Sequence, residues 1–387
     1  MTRTVDFEAL ISDRARSVDA SGIRKVFELG AKLKNPINFS IGQPDFAVPQ
    51  AIKQATIDAI SRDRNGYTLT QGVPDLLGSI SRHLKDDVGW AVPSDDLGLL
   101  ATSGTSGALW LAFIAVLNAG DEAIVSDPYF VLYPALGQVT GARVVACDTY
   151  PDFRLTAERV EPLITPRTKI VLVNSPGNPS GVVLSNAEWR DLVDLCERRG
   201  LLLISDEIYD QFTYADAREN GACPSPARMT ENMLLVRGFG KTYGCTGWRM
   251  GYVAGPKPII QQMQKLQQYT YVCPPSMAQY GLAGAFEVDM TPQIEAYQRR
   301  RDAVLEAFEG VTTVEPPGGA FYAFVEVPRH LDMTASAFCE RAIERNVLLI
   351  PGKVFSRRDS HFRLSYAVPE ETLARGLDIL VDLMQRN

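Results

Sequence analysis

Between residues 122 and 254 short apolar runs rich in β-branched side chains alternate with longer stretches of helical periodicity. The runs lie at Glu122–Ser126, Arg143–Cys147, Lys169–Asn174, Leu201–Ser205, Met233–Arg237 and Gly251–Ala254. A strand buried on both faces reads as a nearly continuous apolar run, whereas a half-solvated strand alternates with period two. Helical stretches separate several of the runs; Ser185–Arg199 is one, with Asn186 as a candidate cap and Gly200 as its stop. This rhythm predicts an α/β fold, a mostly parallel sheet with helices on both faces. The longest apolar run, Ala108–Leu117, is too short to cross a bilayer and predicts a buried helix.

Beyond residue 285 the pattern changes. A charged helix around Gln293–Phe308 leads to Pro316-Pro317-Gly318-Gly319, then to a strand-like Phe321–Val327 and a C-terminal helix. These elements predict a smaller α+β domain. Phe7–Ser12 and Arg24–Leu33 look helical, precede the sheet domain, and are expected to join the smaller domain. The expected division is therefore 1–45 with the small domain, 46–285 as the large domain and 286–387 as the small C-terminal domain.

Composition narrows the classes. A chain of 387 residues has room for two domains, and 45% hydrophobic with 22% charged residues excludes a disordered chain. A formal net charge of -7 argues against a nucleic-acid binder but leaves room for a local anion pocket. The opening residues, MTRTVDFEAL, carry acids and lack the apolar core of a secretory signal. Six cysteines without a CxxC pair and only three histidines form no metal pattern, and a reducing cytoplasm is the simplest expectation.

Three polar clusters follow directly on candidate strands: Ser175-Pro176-Gly177-Asn178-Pro179-Ser180-Gly181, then Asp206, Glu207 and Tyr209, then Gly238-Phe239-Gly240-Lys241. In open α/β sheets ligands bind beyond the carboxyl ends of the strands, so the three can face one pocket. Lys241 alone reads most simply as a solvated loop lysine. Confined between glycines after a buried strand, it would lose basicity and become a nucleophile towards aldehydes. Arg249, beside Gly247, has the fork that suits a phosphate, although a surface ion pair is the ordinary alternative. Asp206 at the end of an apolar strand needs a cation nearby: either a structural salt bridge or a protonated ring nitrogen. Ser103-Gly104-Thr105-Ser106-Gly107 before the apolar helix forms either a plain helix start or an anion site. Together they supply a phosphate cup, an arginine, an aldehyde-reactive lysine and a carboxylate for a ring nitrogen, the parts a pyridoxal-phosphate site requires.

At these residues the chain resembles the class I/II aminotransferases of the fold-type I pyridoxal-phosphate superfamily. The resemblance runs from Ser40-Ile41-Gly42-Gln43-Pro44-Asp45 to Phe362-Arg363-Leu364-Ser365-Tyr366-Ala367, and is most specific at Lys241–Arg249 and Asn174–Gly181. It implies that Lys241 is the Schiff-base lysine and proton shuttle, and that Asp206 holds the pyridine nitrogen protonated. Tyr209 and Asn178 would bond the cofactor's phenolic oxygen, and Phe130 would stack on its ring. Gly104, Thr105, Ser106 and Arg249 would hold the phosphate, with Tyr67 reaching the phosphate of a partner subunit in a homodimer. Arg363 would bind the substrate α-carboxylate, helped by Asn178 and the backbone of Gly42. Many relatives carry a serine at the positions of Gly238 or Gly240, so phosphate binding here should rest more on backbone N–H groups and Arg249.

The implied reaction moves an amino group from an L-amino acid to a 2-oxo acid, in a protein that binds neither nucleic acid nor membrane. Two alternatives use the same parts: β-elimination from a cysteine conjugate, and a non-catalytic pyridoxal-phosphate-binding regulator. The second would need an added DNA-binding domain, for which the chain has neither length nor basic charge. Ser106 brings no charge to a position where some acid-specific relatives place a lysine. Phe321, Tyr322 and Phe355 offer apolar surface, so neutral or aromatic side chains are expected over strict aspartate specificity. Lys353, Arg357 and Arg358 are the cations that would oppose this expectation.

Overall fold

The computed structural model describes residues 5–18, 22 and 33–385. Its centre is a seven-stranded sheet made of β1 (Leu97–Ser103), β2 (Glu122–Asp127), β3 (Arg143–Asp148), β4 (Thr168–Asn174), β5 (Leu202–Asp206), β6 (Met233–Gly238) and β7 (Met250–Pro256). The spatial order is β1-β7-β6-β5-β4-β2-β3. Neighbours are parallel except β7, which runs antiparallel to both β1 and β6.

Successive residues of each strand feed opposite cores, which is why the strands read as unbroken apolar runs. Ile170 and Leu172 pack on one side with Leu109 and Phe113 of helix α1 (Gly104–Val116). Val171 and Val173 pack on the other with Leu192 and Val193 of helix α3 (Asn186–Arg199). Between these two helices in sequence lies α2 (Leu132–Thr140), which joins the first core through Tyr133 and Leu136.

The six expected strands are present, each with slightly different ends. β1 was not expected, and its partner β7 lies far away in sequence. The cap of α3 is Ser185 rather than Asn186: its side chain accepts from the Glu188 N–H and the Glu188 carboxylate accepts from the Ser185 N–H, a reciprocal capping box. Gly200 ends the helix in the left-handed conformation, as expected. Phe7–Ser12 holds only a single turn at Glu8–Leu10, followed by a short helix at Asp13–Arg16. The expected helix at 24–33 lies outside the described residues apart from Leu33.

A second, antiparallel sheet has the order β9-β10-β8, from β8 (Tyr322–Glu326), β9 (Ile350–Pro351) and β10 (His361–Ser365). Helices Thr291–Phe308 and Glu370–Gln385 accompany it. Ile37–Asn38 pairs in parallel with Val347–Leu348, so the segment before the large sheet is tied to elements that follow it.

Candidate active site

The carboxyl ends of β4, β5 and β6 lie side by side, with Asn174 opposite Asp206 and Asp206 opposite Val236. Beyond them opens a cavity of about 370 Å³, within the range of ~300–1,000 Å³ usual for small-ligand sites. Gly42, Gly104, Thr105, Ser106, Phe130, Asn178, Asp206, Tyr209, Lys241, Arg249 and Arg363 all line it. Tyr67 does not: its side chain is 88% exposed on the surface of the chain.

Lys241 donates from Nζ to the carbonyl oxygen of Gly42. Its amine lies 5.8 Å from the Tyr209 ring centre and 5.6 Å from that of Phe321. Burial, reinforced by the charges of Arg363 and Arg249, lowers its pKa to about 7. A large fraction of the amine is therefore neutral and nucleophilic near neutral pH.

Asp206 is 3% exposed. Its Oδ2 accepts from the Tyr133 hydroxyl at 2.9 Å, while its Oδ1 is buried and has no partner among the described residues. Burial raises the carboxyl to about 6, opposed by the hydrogen bonds from Tyr133 and the Ile208 N–H and reinforced by the Glu207 charge. The next residue, Glu207, is fully buried and belongs to a separate network. It accepts from Ser205, Ser225 and Arg237, and Arg237 also donates to Asp87 at 2.7 Å. That network fastens the turn after β5 to the end of β6, the two places from which Asp206 and Lys241 enter the cavity.

The helix start at one wall is shaped for an anion. Ser103 makes no side-chain capping bond, so the first-turn N–H groups of α1 keep their donors. Gly104 has φ 67°, and a Cβ there would lie 2.9 Å from Nη2 of Arg249. A Cβ on Gly251 would lie 2.7 Å from the carbonyl carbon of Gly104. Both glycines let the helix start descend onto the sheet beside the arginine. Gly238, where many relatives carry serine, has no space to spare: a Cβ would meet Ile208 Cδ1 at 2.7 Å and Thr105 Cγ2 at 3.1 Å.

At the opposite wall Arg363 is 1% exposed and sandwiched between the rings of Tyr322 (4.5 Å) and Phe355 (4.8 Å). It donates to Asn178 Oδ1 at 3.0 Å and to the Ser40 carbonyl at 2.8 Å. Tyr322 and Tyr209 share a hydrogen bond of 3.1 Å between their hydroxyls. Neither Lys353, Arg357 nor Arg358 lines the cavity. Arg358 pairs with Asp148 and lies 4.2 Å over the Tyr150 ring.

The family model for aminotransferase class I and II matches residues 34–380. The chain belongs to that family. It is 32% identical over 386 residues to a probable aspartate aminotransferase of Methanocaldococcus jannaschii, covering 97% of this chain and 100% of that one. It is 30% identical over 380 residues to aromatic-amino-acid aminotransferase 2 of Thermococcus litoralis, covering 95% and 96%. Aspartate aminotransferase of Thermus thermophilus with maleate superposes with a TM-score of 0.89 at 32% identity, covering 96% of this chain and 99% of that one.

This aminotransferase is thus a fold-type I, pyridoxal 5'-phosphate-dependent enzyme of amino and 2-oxo acids. The residues present fit the cofactor. The orphan Asp206 Oδ1 suits a ring N–H, the uncapped helix start and Arg249 suit a phosphate, and the low-pKa Lys241 amine suits an aldehyde. The residues that the sequence did not disclose act at one remove: Tyr133 behind Asp206, and Arg237, which holds Glu207, beneath the floor; Tyr322, expected only as apolar surface, lines the cavity and also bonds Tyr209 and stacks on Arg363.

Proposed function

We propose that Lys241 is the residue to which the cofactor is covalently attached, and that the aminotransferase acts as a homodimer on L-amino acids with neutral or aromatic side chains. The observation that carries the first part is the Lys241 amine, desolvated in the same cavity as the partnerless Asp206 Oδ1. When bound, pyridoxal 5'-phosphate supplies an aldehyde for the amino group and a ring that withdraws electrons from the substrate Cα.

The chain's own groups divide the remaining work. Asp206 would accept from the ring N–H through its partnerless Oδ1 and so favour the protonated ring. Tyr209 and Asn178 would hydrogen-bond the phenolic oxygen, and Phe130 would cover the ring face. The first-turn N–H groups at Gly104, Thr105 and Ser106 bind the phosphate together with Arg249. Arg363, with Asn178 and the backbone of Gly42, binds the substrate α-carboxylate through its planar fork. The Lys241 amine, once free, would be the group that takes the proton from the substrate Cα and hands it on. A lysine whose pKa lies near the operating pH is suited to both directions of that transfer. Tyr67 acts on the phosphate of the partner subunit.

The substrate reading rests on charge. Lys241, Arg249 and Arg363 are the cations lining the cavity among the described residues, and each has a task already. A side-chain carboxylate would lie there without a counter-charge, which is costly in a closed site. The relatives carry both aspartate and aromatic names, so support for this reading comes from the lining. The test is kcat/KM for aspartate, phenylalanine and methionine with pyruvate as the fixed acceptor. Phenylalanine or methionine should equal or exceed aspartate. An aspartate preference above about tenfold, or about 1.4 kcal/mol in transition-state binding, would contradict the reading.

The same reading divides the aminotransferase into a large domain of residues 46–285 and a small one of 286–387 joined by 1–45, supported by the pairing of Ile37–Asn38 with Val347–Leu348. A reducing cytoplasm is its proposed compartment, in keeping with six unpaired cysteines. Among the described residues no helix is long and apolar enough to cross a membrane.

A further inference from the structure

Asp206 is held from behind by a residue that does not line the cavity. Tyr133 on α2 is 1% exposed, and its hydroxyl donates to Asp206 Oδ2 at 2.9 Å. The other carboxylate oxygen, Oδ1, is buried and unpartnered among the described residues. Lys241, Arg249 and Arg363 share the cavity with Asp206 but donate elsewhere, to Gly42, to Thr246, and to Asn178 and Ser40. A carboxylate fixed through one oxygen by a group outside the cavity presents the other oxygen to it.

We infer that Tyr133 is a positioning residue for the amino-transfer reaction, clamping Asp206 through Oδ2 so that Oδ1 is presented to the cofactor's ring nitrogen. This rests on the role proposed above for Asp206. The clamp is built into the turn that offers Phe130 to the same cavity. The Tyr133 N–H donates to the Phe130 carbonyl at 3.0 Å, and the two rings meet edge to face at 5.8 Å. One short segment therefore sets both a ring-face contact and, through Asp206, a ring-edge contact. Neither can shift far without the other.

The hydroxyl also bears on the charge of Asp206. The groups facing the carboxyl are Tyr133 from α2, Glu207 beside it and the Ile208 N–H, with Tyr209 on the same turn. Burial and Glu207 favour the protonated acid, while the Tyr133 hydroxyl and the Ile208 N–H favour the anion. Removing the hydroxyl raises the carboxyl above its present value of about 6. The anion is then lost at a higher pH, so any weakening of cofactor binding should be largest on the acid side and fade as pH rises.

The test measures pyridoxal 5'-phosphate binding to apoprotein, by absorbance, for wild type, Tyr133→Phe, Asp206→Ala and the double variant at pH 6 and pH 8. The Asp206 carboxyl of apo wild type and apo Tyr133→Phe is followed by ¹³C NMR, assigned against Asp206→Ala. Tyr133→Phe should stay folded and bind about tenfold more weakly at pH 6, the scale of one lost hydrogen bond to a charged group. The deficit should shrink at pH 8, and the Asp206 midpoint should rise by about one pH unit. In the Asp206→Ala background the same substitution should have no further effect. Equal binding by wild type and Tyr133→Phe at both pH values, or an equal loss with and without Asp206, would overturn the inference. If Asp206→Ala itself binds the cofactor like wild type, the role of Asp206 fails instead; if only Asp206→Ala is impaired, the clamp alone fails.

Discussion

A lysine amine enclosed among Gly42, Tyr209 and Phe321, with Arg363 and Arg249 nearby, is a different reagent from a lysine in water. The positive neighbours and the loss of solvent both penalise the charged form, and the neutral form is the one that attacks an aldehyde. The sign follows: reactivity is low while the amine is protonated and rises as pH passes upward through its pKa. The rate of cofactor uptake by apoprotein should accordingly reach half its maximum near pH 7. A midpoint near 10, where an unperturbed lysine titrates, would show that the amine is solvated in the working enzyme. Asp206, Asn178, Lys241 and the Gly104-Thr105-Ser106 turn were legible in the sequence because each follows a buried strand or stands beside a glycine, whereas Arg363, inside β10, was read only from the family resemblance. Their partners were not legible. Tyr133 reads as one aromatic among many on an amphipathic helix, and only the fold brings its hydroxyl to Asp206.

At the scale of elements, the close approach of α1 to β7 decides how the anion site is made. Gly104 is left-handed and Gly251 abuts its backbone, so the helix start lies against Arg249 with its first N–H groups uncapped. Gly104→Ala should cost about 1–2 kcal/mol of stability from the left-handed backbone, measured by urea unfolding of the apoprotein. It should also weaken cofactor binding, because the new methyl group would displace the Arg249 guanidinium. Unchanged cofactor affinity in a destabilised variant would show that Arg249 is not held by this contact. Strands with both faces buried announced themselves by unbroken apolar runs. β1 did not, since Gly98 and Thr102-Ser103 dilute its pattern and its place at the sheet edge is fixed by pairing with distant β7. The capping box at Ser185 and Glu188 was present in the sequence as a Ser-x-x-Glu signal one residue before the cap first expected.

At the scale of the whole molecule, the loop carrying Tyr67 is hydrogen-bonded along its length while its tip is bare. Buried Gln279 accepts from the Val73 N–H and donates to Thr68 Oγ1, and buried Gln267 donates to the Thr70 carbonyl. Tyr67, Leu69 and Tyr269 nevertheless stand 88%, 58% and 86% exposed. An ordered loop that offers apolar side chains to water marks a contact surface, and the proposed occupant is a second copy of the chain. Mixing Lys241→Ala with Tyr67→Phe protein should then restore activity above the sum of the separate samples, because one hybrid site regains both residues. A monomer in sedimentation, or no gain on mixing, would contradict the shared site. That role came from the family resemblance alone, since the Tyr67 side chain does not line the active-site cavity of its own chain.

The claim on which the rest depends is that Lys241 carries the cofactor. Reducing the holoenzyme with borohydride, digesting it and mapping the peptides by mass spectrometry tests this directly. The account predicts a pyridoxyl group on Lys241 within Gly240-Lys241-Thr242-Tyr243; a pyridoxyl group on any other lysine would contradict it.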